Sequence, residues 1–444
     1  MSTTIGRREF LKRTGLGVAG AALAFPRPGK SAGSGFQALE KSQPNILFII
    51  SDDHGWTDYG FMGHPQIKTP HLDKLAAQSL TFRRGYVPSS LCCPSLGAII
   101  TGLYPHQNLI TCNDPPGPPP ARKRTPQEQQ EFVAGRAVMT KHMEAAATLP
   151  RLLAQQGYVS LQTGKWWQGH FSSGGFTHGM TKGQRHGDEG LDIGRKTLQP
   201  IYDFIAAARK EQKPWFVWYA PMMPHDPHTP PERLLEKYKG RTDSPHVAKY
   251  WAMVEWFDET CGQVLDHLEK EGLAENTLVI YVTDNGWVQS PTTPRHLRSK
   301  LSPYDSGLRT PIMVRWPGKV QPKMSDDLAM SIDLVPTALA AVGAKPTSAM
   351  QGLNLLDAEA VAKRKTIYGE CFVHTAVDLN NPAKNLEQRW LIDGNRKLIV
   401  PQRKGEPELY DLAADPHEQT NLAAQQAEAV AELKHKLDAW WKPE

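Results

Sequence analysis

Three nearly uninterrupted apolar runs give the strongest structural signal along this chain. They are "NILFII" (45–50), "PWFVWYAP" (214–221) and "TLVIYV" (277–282). Runs that are apolar on both faces are typical of strands in a parallel sheet that helices cover on both sides. Polar residues follow the first and third runs at once, and the second run leads into "MMPHDPH" (222–228), which indicates where each strand ends.

Segments with helical periodicity separate these runs. They are "TPHLDKLAAQSL" (69–80), "TLPRLLAQQGY" (148–158) and "AKYWAMVEWFDETCGQVLDHLEKEG" (248–272). Strands that alternate with helices predict an α/β fold, here with a large, mostly parallel sheet flanked by helices. In such folds the ligand crevice lies outside the carboxyl ends of the strands.

The last hundred residues have a different pattern. "TIYGECF" (366–372), "QRWLIDG" (388–394), "RKLIVP" (396–401) and "LYDL" (409–412) predict short antiparallel strands. "AEAVAELKHKLDAWW" (427–441) predicts a terminal amphipathic helix. We therefore expect a large domain at 44–343 and a smaller α+β subdomain at 344–444.

A proline-rich and then charged stretch interrupts the first domain. "NDPPGPPPARKRTPQEQQ" (113–130) predicts a long surface loop. This loop is our candidate for part of a binding rim, because pocket rims are usually built from loops. Its basic residues, Arg122, Lys123 and Arg124, suit an anionic polysaccharide, with a merely solvated loop as the alternative.

The N-terminus has the order of features found in an export signal. Arg7 and Arg8 stand in tandem before a short, weakly apolar run, and Ala22 to Ala24 form a plausible cleavage site. This order predicts a twin-arginine signal and linker over 1–32, and hence a periplasmic or secreted protein. The run is too short to span a bilayer, so no stable membrane span is expected.

Charge and cysteine content exclude some classes of protein. The formal charge is +5, and cleavage after Ala24 removes a net three positive charges and leaves +2, so nucleic acid is not indicated as a partner. Five scattered cysteines are too few for a disulfide scaffold or a zinc ribbon.

Two of the strand ends carry hard oxygen ligands. Asp52 and Asp53 follow the first apolar run, and Asp284 and Asn285 follow the third. Carboxylate and amide oxygens favour Ca²⁺ or Mg²⁺ over Zn²⁺, and crowded carboxylates repel each other without a cation. The alternative is that these residues only form turns after the strands.

A cysteine pair precedes a short helical segment. Cys92 and Cys93 stand before Pro94, a residue that suits the first helical position, so we expect both just outside the helix N-terminus. The backbone N–H groups there favour an anion, which makes an activated nucleophile one reading of the pair. Buried structural cysteines or a vicinal disulfide are the alternatives.

These segments together resemble the type I sulfatases of the alkaline phosphatase superfamily. "CCPSLGAIITG" is similar to the family's Cys-x-Pro-Ser-Arg pattern followed by Thr-Gly, with Cys92 as the cysteine that is oxidised to formylglycine. The other segments that carry the resemblance are "PNILFIISDDHGWTDYG" (44–60), "APMMPHDPH" (220–228), "TDNG" (283–286), "KLSPYDSGLRTPIMVRWPG" (300–318) and "ELYDLAADPHEQTNLA" (408–423).

The resemblance implies a cofactor and a set of roles. One Ca²⁺ would be held by Asp52, Asp53, Asp284, Asn285 and the modified Cys92. The formylglycine hydrate would supply the nucleophile. Lys300 would bind a sulfate oxygen, and Lys165 in "TGKWWQG" would steady nucleophile and sulfate. His225 would protonate the leaving alcohol.

Partners follow from the same resemblance. They are a sulfated small molecule or glycan as substrate, a formylglycine-generating maturation enzyme, and the twin-arginine export machinery. The small C-terminal subdomain would flank the cleft. Cys93 stands at a variable position of the family pattern and is treated as a bystander that could pair with Cys112.

Two positions depart from the family pattern. Leu96 replaces the arginine that stabilises the formylglycine site, and Trp167 replaces a histidine that helps to take the proton from the hydrate. Neither side chain can do the work of the residue it replaces. Downstream residues that offer a substitute are His170, His178, Arg185 and His186.

Three functions remain open from the sequence. Sulfate ester or sulfamate hydrolysis is the main hypothesis. A phosphodiester or phosphonate ester hydrolase on the same scaffold is the first alternative. A catalytically silent binder of sulfated glycans is the second, and Leu96 and Trp167 motivate it.

Overall fold

Two β-sheets organise the part of the chain that the structure describes. The computed structural model covers residues 43–118, 122–293 and 295–444. The predicted export signal over 1–32 lies outside these residues and stays a prediction.

The larger sheet has eight strands in the spatial order β4-β3-β5-β1-β6-β7-β2-β8. Its strands are β1 (Asn45–Ser51), β2 (Leu80–Tyr86), β3 (Val159–Gly164), β4 (His178–Gly179), β5 (Trp215–Ala220), β6 (Thr277–Thr283), β7 (Arg309–Arg315) and β8 (Lys323–Met330). All neighbouring pairs are parallel except the two that β7 makes with β6 and β2. The sheet is therefore mostly parallel, as predicted.

Helices cover both faces of this sheet. The α-helices of the described residues, apart from short 3₁₀ turns, are α1 (Pro70–Ala77), α2 (Cys92–Thr101), α3 (Pro105–Asn108), α4 (Pro126–Ala145), α5 (Leu149–Ala154), α6 (Gln199–Lys210), α7 (Glu232–Tyr238), α8 (Pro245–Lys270), α9 (Asp305–Leu308), α10 (Leu334–Ala341), α11 (Ala358–Lys363), α12 (Pro382–Asn385) and α13 (Ala427–Trp440). Alternate side chains of strand β1 pack against different sets of helices. Ile46, Phe48 and Ile50 join the apolar cluster of α2, α5 and α10, and Leu47 and Ile49 join that of α1, α6 and α8.

The second sheet is antiparallel and has the order β12-β11-β10-β9. Its strands are β9 (Thr366–Phe372), β10 (Leu386–Asp393), β11 (Arg396–Pro401) and β12 (Glu408–Asp411). Trp390 of β10 is fully buried against Tyr86 of β2, with ring centroids 6.1 Å apart. Helix α13 covers the opposite face through Leu433 and Leu437. The predicted strands and terminal helix are confirmed here.

The proline-rich segment differs from its prediction. It was expected to be a surface loop over 113–130, but α4 begins at Pro126 and the first residues of the segment, Asn113 and Asp114, are buried. Thr125 and Glu128 form a capping box, which satisfies two backbone N–H groups at the start of α4. Because the segment contains so many prolines, it was predicted to be a loop, and the capping box that predicts a helix was overlooked.

Helix α2 begins earlier than its prediction. Leu91 is the extended residue before the helix, so Cys92 and Cys93 form its first turn and Pro94 is its third residue. A proline is tolerated throughout the first turn, where its missing N–H would have no intrahelical partner. The cysteine pair therefore lies inside the helix, not before it.

None of the helices in the described ranges is both long enough and apolar enough to cross a membrane.

Candidate active site

The polar residues of four strand ends meet at one edge of the larger sheet. Strands β3, β5, β1 and β6 are parallel neighbours, and the chain continues from them into Lys165, His225, Asp52 and Asp284 respectively. The carboxyl ends of parallel strands lie at the same edge, which explains how residues far apart in sequence converge.

A glycine permits the closest of these approaches. Gly164 ends β3 with a φ of +75°, and a Cβ there would lie 1.8 Å from the carbonyl oxygen of Ala220. The next residue, Lys165, donates its backbone N–H to that same oxygen at 2.6 Å. Only glycine fits this position, because the backbone of β5 occupies the space of a side chain.

Two lysines pair with the aspartates of the first strand end. The Lys165 ammonium lies 2.6 Å from Asp52, and the Lys300 ammonium lies 2.8 Å from Asp53. Burial raises the pKa of each carboxyl, but the lysines outweigh this and hold the pKa of both aspartates below its ordinary value. Both carboxylates are therefore charged in this environment.

The second strand end leaves acceptor oxygens without a partner. Asn285 donates its side-chain N–H to Asp53 at 2.7 Å, and Asp284 accepts the backbone N–H of Asp53 at 3.1 Å. The remaining oxygens, Oδ2 of Asp284 and Oδ1 of Asn285, are buried and accept no hydrogen bond. Burial and the neighbouring Asp52 carboxylate raise the pKa of Asp284 well above its ordinary value.

This ligand set fits a hard divalent cation. Three buried carboxyl groups face two lysines, so one negative charge lacks a cation whenever all three are ionised. Oδ2 of Asp284 and Oδ1 of Asn285 also accept no hydrogen bond from the described residues. A buried polar oxygen without a hydrogen bond is costly, and a cation of the Ca²⁺ type removes the cost at both oxygens.

Cys92 and His225 complete the cluster. One ligand atom each of Asp52, Asp53, Cys92 and His225 lies within 4.8 Å of the others. His225 Nε2 is 3.4 Å from the Lys300 ammonium, and burial lowers the pKa of this imidazole. All predicted site residues are thus brought together, and their chemical roles remain predictions.

The Cys92 thiol is not activated by its position at a helix N-terminus. Burial raises its pKa to about 12, and this effect outweighs the nearby Lys165 and Lys300. A buried thiol of this kind stays protonated and is a poor nucleophile. This environment gives no support to the reading of a ready-made thiolate, but it does not conflict with a cysteine that is first modified.

The neighbouring Cys93 points to a different set of partners. Its backbone N–H donates to the Asn113 side chain at 2.9 Å, and its sulfur accepts the Gln168 side-chain amide at 2.9 Å. Both Cys93 and Cys112 are free thiols, and Cys92 is free as well. The structure therefore contains neither a vicinal disulfide nor a Cys93–Cys112 bond.

The residue at the first departure from the family pattern lies in the core. Leu96 is 4% exposed and belongs to the apolar cluster of α2 with Ile99 and Ile110. A guanidinium that acts on the cysteine turn comes instead from α4. Arg136 donates to the carbonyl oxygens of Asn113, at 2.8 Å, and of Trp167.

Arg136 was not among the predicted site residues, because the start of helix α4 was predicted to belong to a surface loop. The Thr-Pro-x-Glu signal at 125–128 predicts this helix, and the buried Met139 and Met143 then place Arg136 on the same inward face.

Trp167, the second departure, is enclosed by basic groups. The Arg185 guanidinium lies 4.8 Å from the Trp167 ring centroid and the Arg136 guanidinium 5.5 Å, while the ring of His186 stands edge-on at 4.4 Å. Of the four candidate substitutes, His170 and His178 are exposed, and only Arg185 and His186 lie beside Trp167.

The segment that follows strand β9 of the second sheet supports the start of the proline-rich segment through backbone hydrogen bonds. Asn113 and Asp114 both donate their backbone N–H groups to the carbonyl of His374, just after β9. The Asp114 carboxylate then accepts two hydrogen bonds from Arg185, at 3.1 and 3.2 Å. The start of the proline-rich segment therefore does border the site, as a buried support rather than an exposed loop.

Comparison with known families agrees with this geometry. A family model described as Sulfatase matches residues 44–344, which is more than half of the chain. The chain belongs to the sulfatase family. A second model, described as N-sulphoglucosamine sulphohydrolase, C-terminal, matches residues 298–442 of the chain.

Among its relatives is human N-acetylgalactosamine-6-sulfatase, which is 30% identical over 360 residues. That alignment covers 70% of this chain and 65% of the human protein, so the chain spans just under two thirds of the length of this relative. An N-acetylgalactosamine-6-O-sulfatase of Bacteroides thetaiotaomicron is 24% identical over 509 aligned positions, covering 89% of this chain and 93% of that protein.

Solved structures share the fold. The crystal structure of Ps i-CgsB in complex with k-i-k-neocarrahexaose superimposes with a TM-score of 0.73 at 20% sequence identity. The superposition covers 90% of this chain and 94% of that one. At this identity the likeness establishes the architecture of the sulfatase fold.

Proposed function

We propose that this protein is an exported sulfatase that hydrolyses sulfate esters of glycans, using formylglycine derived from Cys92 and one Ca²⁺. The observation that carries the proposal is the convergence of Cys92, three buried carboxylates and two lysines around oxygens that lack partners. The names of the N-acetylgalactosamine-6-sulfatase relatives support a sulfated sugar as the substrate class.

The calcium ion would be held by oxygens of the two strand ends and of residue 92. Its ligands would be Asp52, Asp53, Asp284, Asn285 and the modified Cys92. The hydrate of formylglycine at residue 92 would supply a hydroxyl nucleophile, and a bound Ca²⁺ would supply Lewis-acid stabilisation of negative charge.

The protein's own side chains handle the charge and the protons. Lys165 and Lys300 each hold a full positive charge beside an aspartate, and Lys300 would bind a sulfate oxygen of the substrate. His225 lies 3.4 Å from Lys300, and its imidazole would give a proton to the leaving alcohol.

The proposal also covers export, maturation of Cys92 and the division of the chain into domains. We propose that residues 1–32 direct the chain through the twin-arginine route to the periplasm or exterior, and that a formylglycine-generating enzyme converts Cys92. We also propose a catalytic domain over 44–343 and a subdomain over 344–444. Lys300 and His374 lie on either side of that boundary, and both approach the site.

Mass spectrometry of the peptide that contains Cys92 tests the proposal directly. Protein expressed with a formylglycine-generating enzyme should carry the aldehyde at residue 92. It should also cleave an aryl sulfate faster than an aryl phosphonate. Cys92→Ser should abolish turnover and Cys93→Ser should retain it, because only Cys92 belongs to the ligand cluster.

Three results would contradict it. A plain thiol at residue 92 in every preparation would exclude the formylglycine mechanism. Faster cleavage of the phosphonate would favour the phosphoester hydrolase alternative. Binding of a sulfated glycan without turnover by the aldehyde-bearing protein would favour the silent binder.

A further inference from the structure

Two guanidinium groups flank the Trp167 ring, and among the described residues only one carboxylate pairs with them. Arg185 donates from Nε and Nη2 to the Asp114 carboxylate at 3.1 and 3.2 Å. Arg136 donates instead to the backbone carbonyls of Asn113 and Trp167, which carry no charge. This part of the site therefore has one positive charge in excess, the opposite of the imbalance at the strand ends.

Arg185 has donors that no described protein group uses. A guanidinium carries five N–H donors, and the Asp114 carboxylate takes two of them. Within the described ranges, no group accepts a hydrogen bond from Nη1 of Arg185. Its side chain is 39% exposed, whereas the Asp114 side chain is 4% exposed. A buried carboxylate thus holds a guanidinium whose other edge is available to a ligand.

Asp114 is itself fixed relative to the first turn of α2. Asp114 and Asn113 donate their backbone N–H groups to the carbonyl of His374 at 3.3 and 3.0 Å. The Asn113 side chain also accepts the backbone N–H of Cys93 at 2.9 Å. Because these hydrogen bonds join the two segments, Arg185 has a defined position next to the turn that carries the proposed nucleophile.

The backbone that follows Arg185 is held in an unusual conformation. His186, Gly187 and Asp188 have φ angles of 69°, 117° and 39°, which residues other than glycine rarely adopt. A Cβ on Gly187 would lie 2.4 Å from the carbonyl oxygen of Gly164, at the end of β3. Strain of this kind persists only where the surroundings hold the chain in place, and it concentrates at functional sites.

Arg185 and the lysine of the proposed sulfate site act on the same imidazole. Burial lowers the pKa of His374, and the positive charges of Arg185 and Lys300 add to this effect. The His186 ring, on the residue after Arg185, lies 6.1 Å from the ring of His225. The guanidinium and the reactive cluster are therefore close enough for one substrate to contact both.

We propose that Arg185 is a specificity-determining residue of this site, an inference that rests on the proposed function. Its free guanidinium edge binds a second oxyanion of the substrate, either a carboxylate or a further sulfate, while the first sulfate occupies the reactive cluster. Both kinds of oxyanion present paired oxygen acceptors that match the guanidinium fork. The substrate class is then a sulfated glycan with two anionic groups, not a neutral sugar with one sulfate.

The test compares matched pairs of sulfated disaccharides as substrates of the aldehyde-bearing protein. One pair differs by a uronate carboxylate against its methyl ester, and the other differs by a second sulfate against a hydroxyl. We expect kcat/KM to be about 10–100-fold higher for the dianionic member of at least one pair, as charge-assisted hydrogen bonds provide. The pair that shows the difference identifies the second oxyanion.

Three variants assign this preference to Arg185. Arg185→Gln should reduce the ratio of the two kcat/KM values to about one. Arg185→Lys keeps the charge but loses the fork, so it should give an intermediate ratio, and it serves if the glutamine variant does not fold. Arg83→Gln should leave the ratio unchanged, because Arg83 makes the same two-bond contact, with Asp326 at 3.0 and 2.6 Å, between β2 and β8.

A double variant separates binding of the oxyanion from neutralisation of Asp114. Loss of Arg185 alone leaves the Asp114 carboxylate without its cation, and this carboxylate would itself repel an anionic ligand. Arg185→Gln combined with Asp114→Asn removes both charges and should still give a ratio of about one. A return to the ratio of the unsubstituted protein would mean that Arg185 only neutralises Asp114, and the inference would be wrong.

Two further results would overturn the inference. One is an unsubstituted protein that cleaves an aryl sulfate but shows no preference within either pair, or cleaves neither pair. The other is an equal loss of kcat/KM for both members of a pair in Arg185→Gln, which would assign Arg185 to the first sulfate or to the framework alone. Failure of the proposed function looks different, because the unsubstituted protein would then cleave neither the disaccharides nor the aryl sulfate.

Discussion

Two buried charge clusters in this molecule use the same residue types with different outcomes. In the first, at the sheet edge, Asp52, Asp53 and Asp284 face Lys165 and Lys300. In the second, between the two sheets, Lys397 of β11 lies 2.9 Å from Asp305 and 2.8 Å from Glu418.

The clusters differ in how completely their charges are balanced. In the second, Asp305 also accepts the Tyr86 hydroxyl at 3.0 Å and lies 3.7 Å from Arg309, so two carboxylates meet two cations. Glu418 accepts the backbone N–H of Asp305 at 2.6 Å. In the first cluster three carboxyl groups meet two cations. Lys165 lies 2.6 Å from Asp52 but 3.6 Å from Asp284, so among the described residues Oδ2 of Asp284 and Oδ1 of Asn285 have neither a hydrogen bond nor a close ion pair.

This difference separates a structural cluster from a reactive one. The balanced cluster ties the second sheet to the segment that carries Lys300, since Arg298 donates to the backbone of Glu418. The unbalanced cluster has room for one further positive charge. A protein tolerates such an imbalance where a ligand compensates for it, and stability is commonly sacrificed at such sites.

Asp284→Asn should produce the largest of the three effects, a loss of turnover, because it removes the carboxylate that has no close lysine partner. We expect turnover to fall about a thousandfold as several kcal/mol of charge stabilisation by the metal are lost. Without calcium, the variant should be more stable than the unsubstituted protein, since the repulsion with Asp52 is gone.

Denaturant titrations with and without Ca²⁺ check this prediction. Saturating calcium should stabilise the unsubstituted protein, because it binds only the folded state, and should do so much less for Asp284→Asn. Equal stabilisation of both proteins would show that the ion binds elsewhere.

Lys397→Met should produce a large loss of stability that calcium does not alter. Removing one partner of a buried ion pair leaves an uncompensated charge and costs about 3–5 kcal/mol. The free energy of unfolding measures this cost, and Lys345→Met, at an exposed position, is the control. A loss below about 1 kcal/mol would mean that the balanced cluster contributes little.

Asp258 extends the comparison to a buried carboxyl group that forms no salt bridge with any residue the structure describes. It accepts the backbone N–H groups of His71 and Leu72 at the start of α1, at 3.2 and 2.7 Å. Burial nevertheless raises its pKa to about 7, from 3.8. The folded state therefore favours the protonated acid, which stabilises the fold below pH 4 and loses that contribution as pH rises through 7.

Asp258→Asn should remove this pH dependence, an effect on stability that reaches its full size only across several pH units. The unsubstituted protein should lose up to about 4 kcal/mol, relative to the variant, between pH 4 and pH 8, at 1.36 kcal/mol per pKa unit. Urea titrations at several pH values measure the difference, with the exposed Asp243→Asn as control. Parallel pH profiles for Asp258→Asn and the unsubstituted protein would contradict the prediction.

Much of the site could be predicted from the sequence because strand ends are local signals. The runs before Asp52 and Asp284 are apolar on both faces, and parallel strands of this kind bring their carboxyl ends together. The motif around Cys92 supplied the third part of the cluster. Helix α4 and Arg136 were missed because a proline-rich stretch concealed a capping box.

The sequence by itself determined the fold class, the family and the residues of the cluster, since each depends on short-range pattern or an ordered motif. Tertiary structure decided how deeply those residues are buried, which charges surround them and which side chains they contact. It showed that the Cys92 thiol is deeply buried and that Leu96 belongs to the core. It also placed two of the four downstream candidates, Arg185 and His186, beside Trp167. Burial, charge balance and ring contacts arise between segments distant along the chain, so no local pattern contains them.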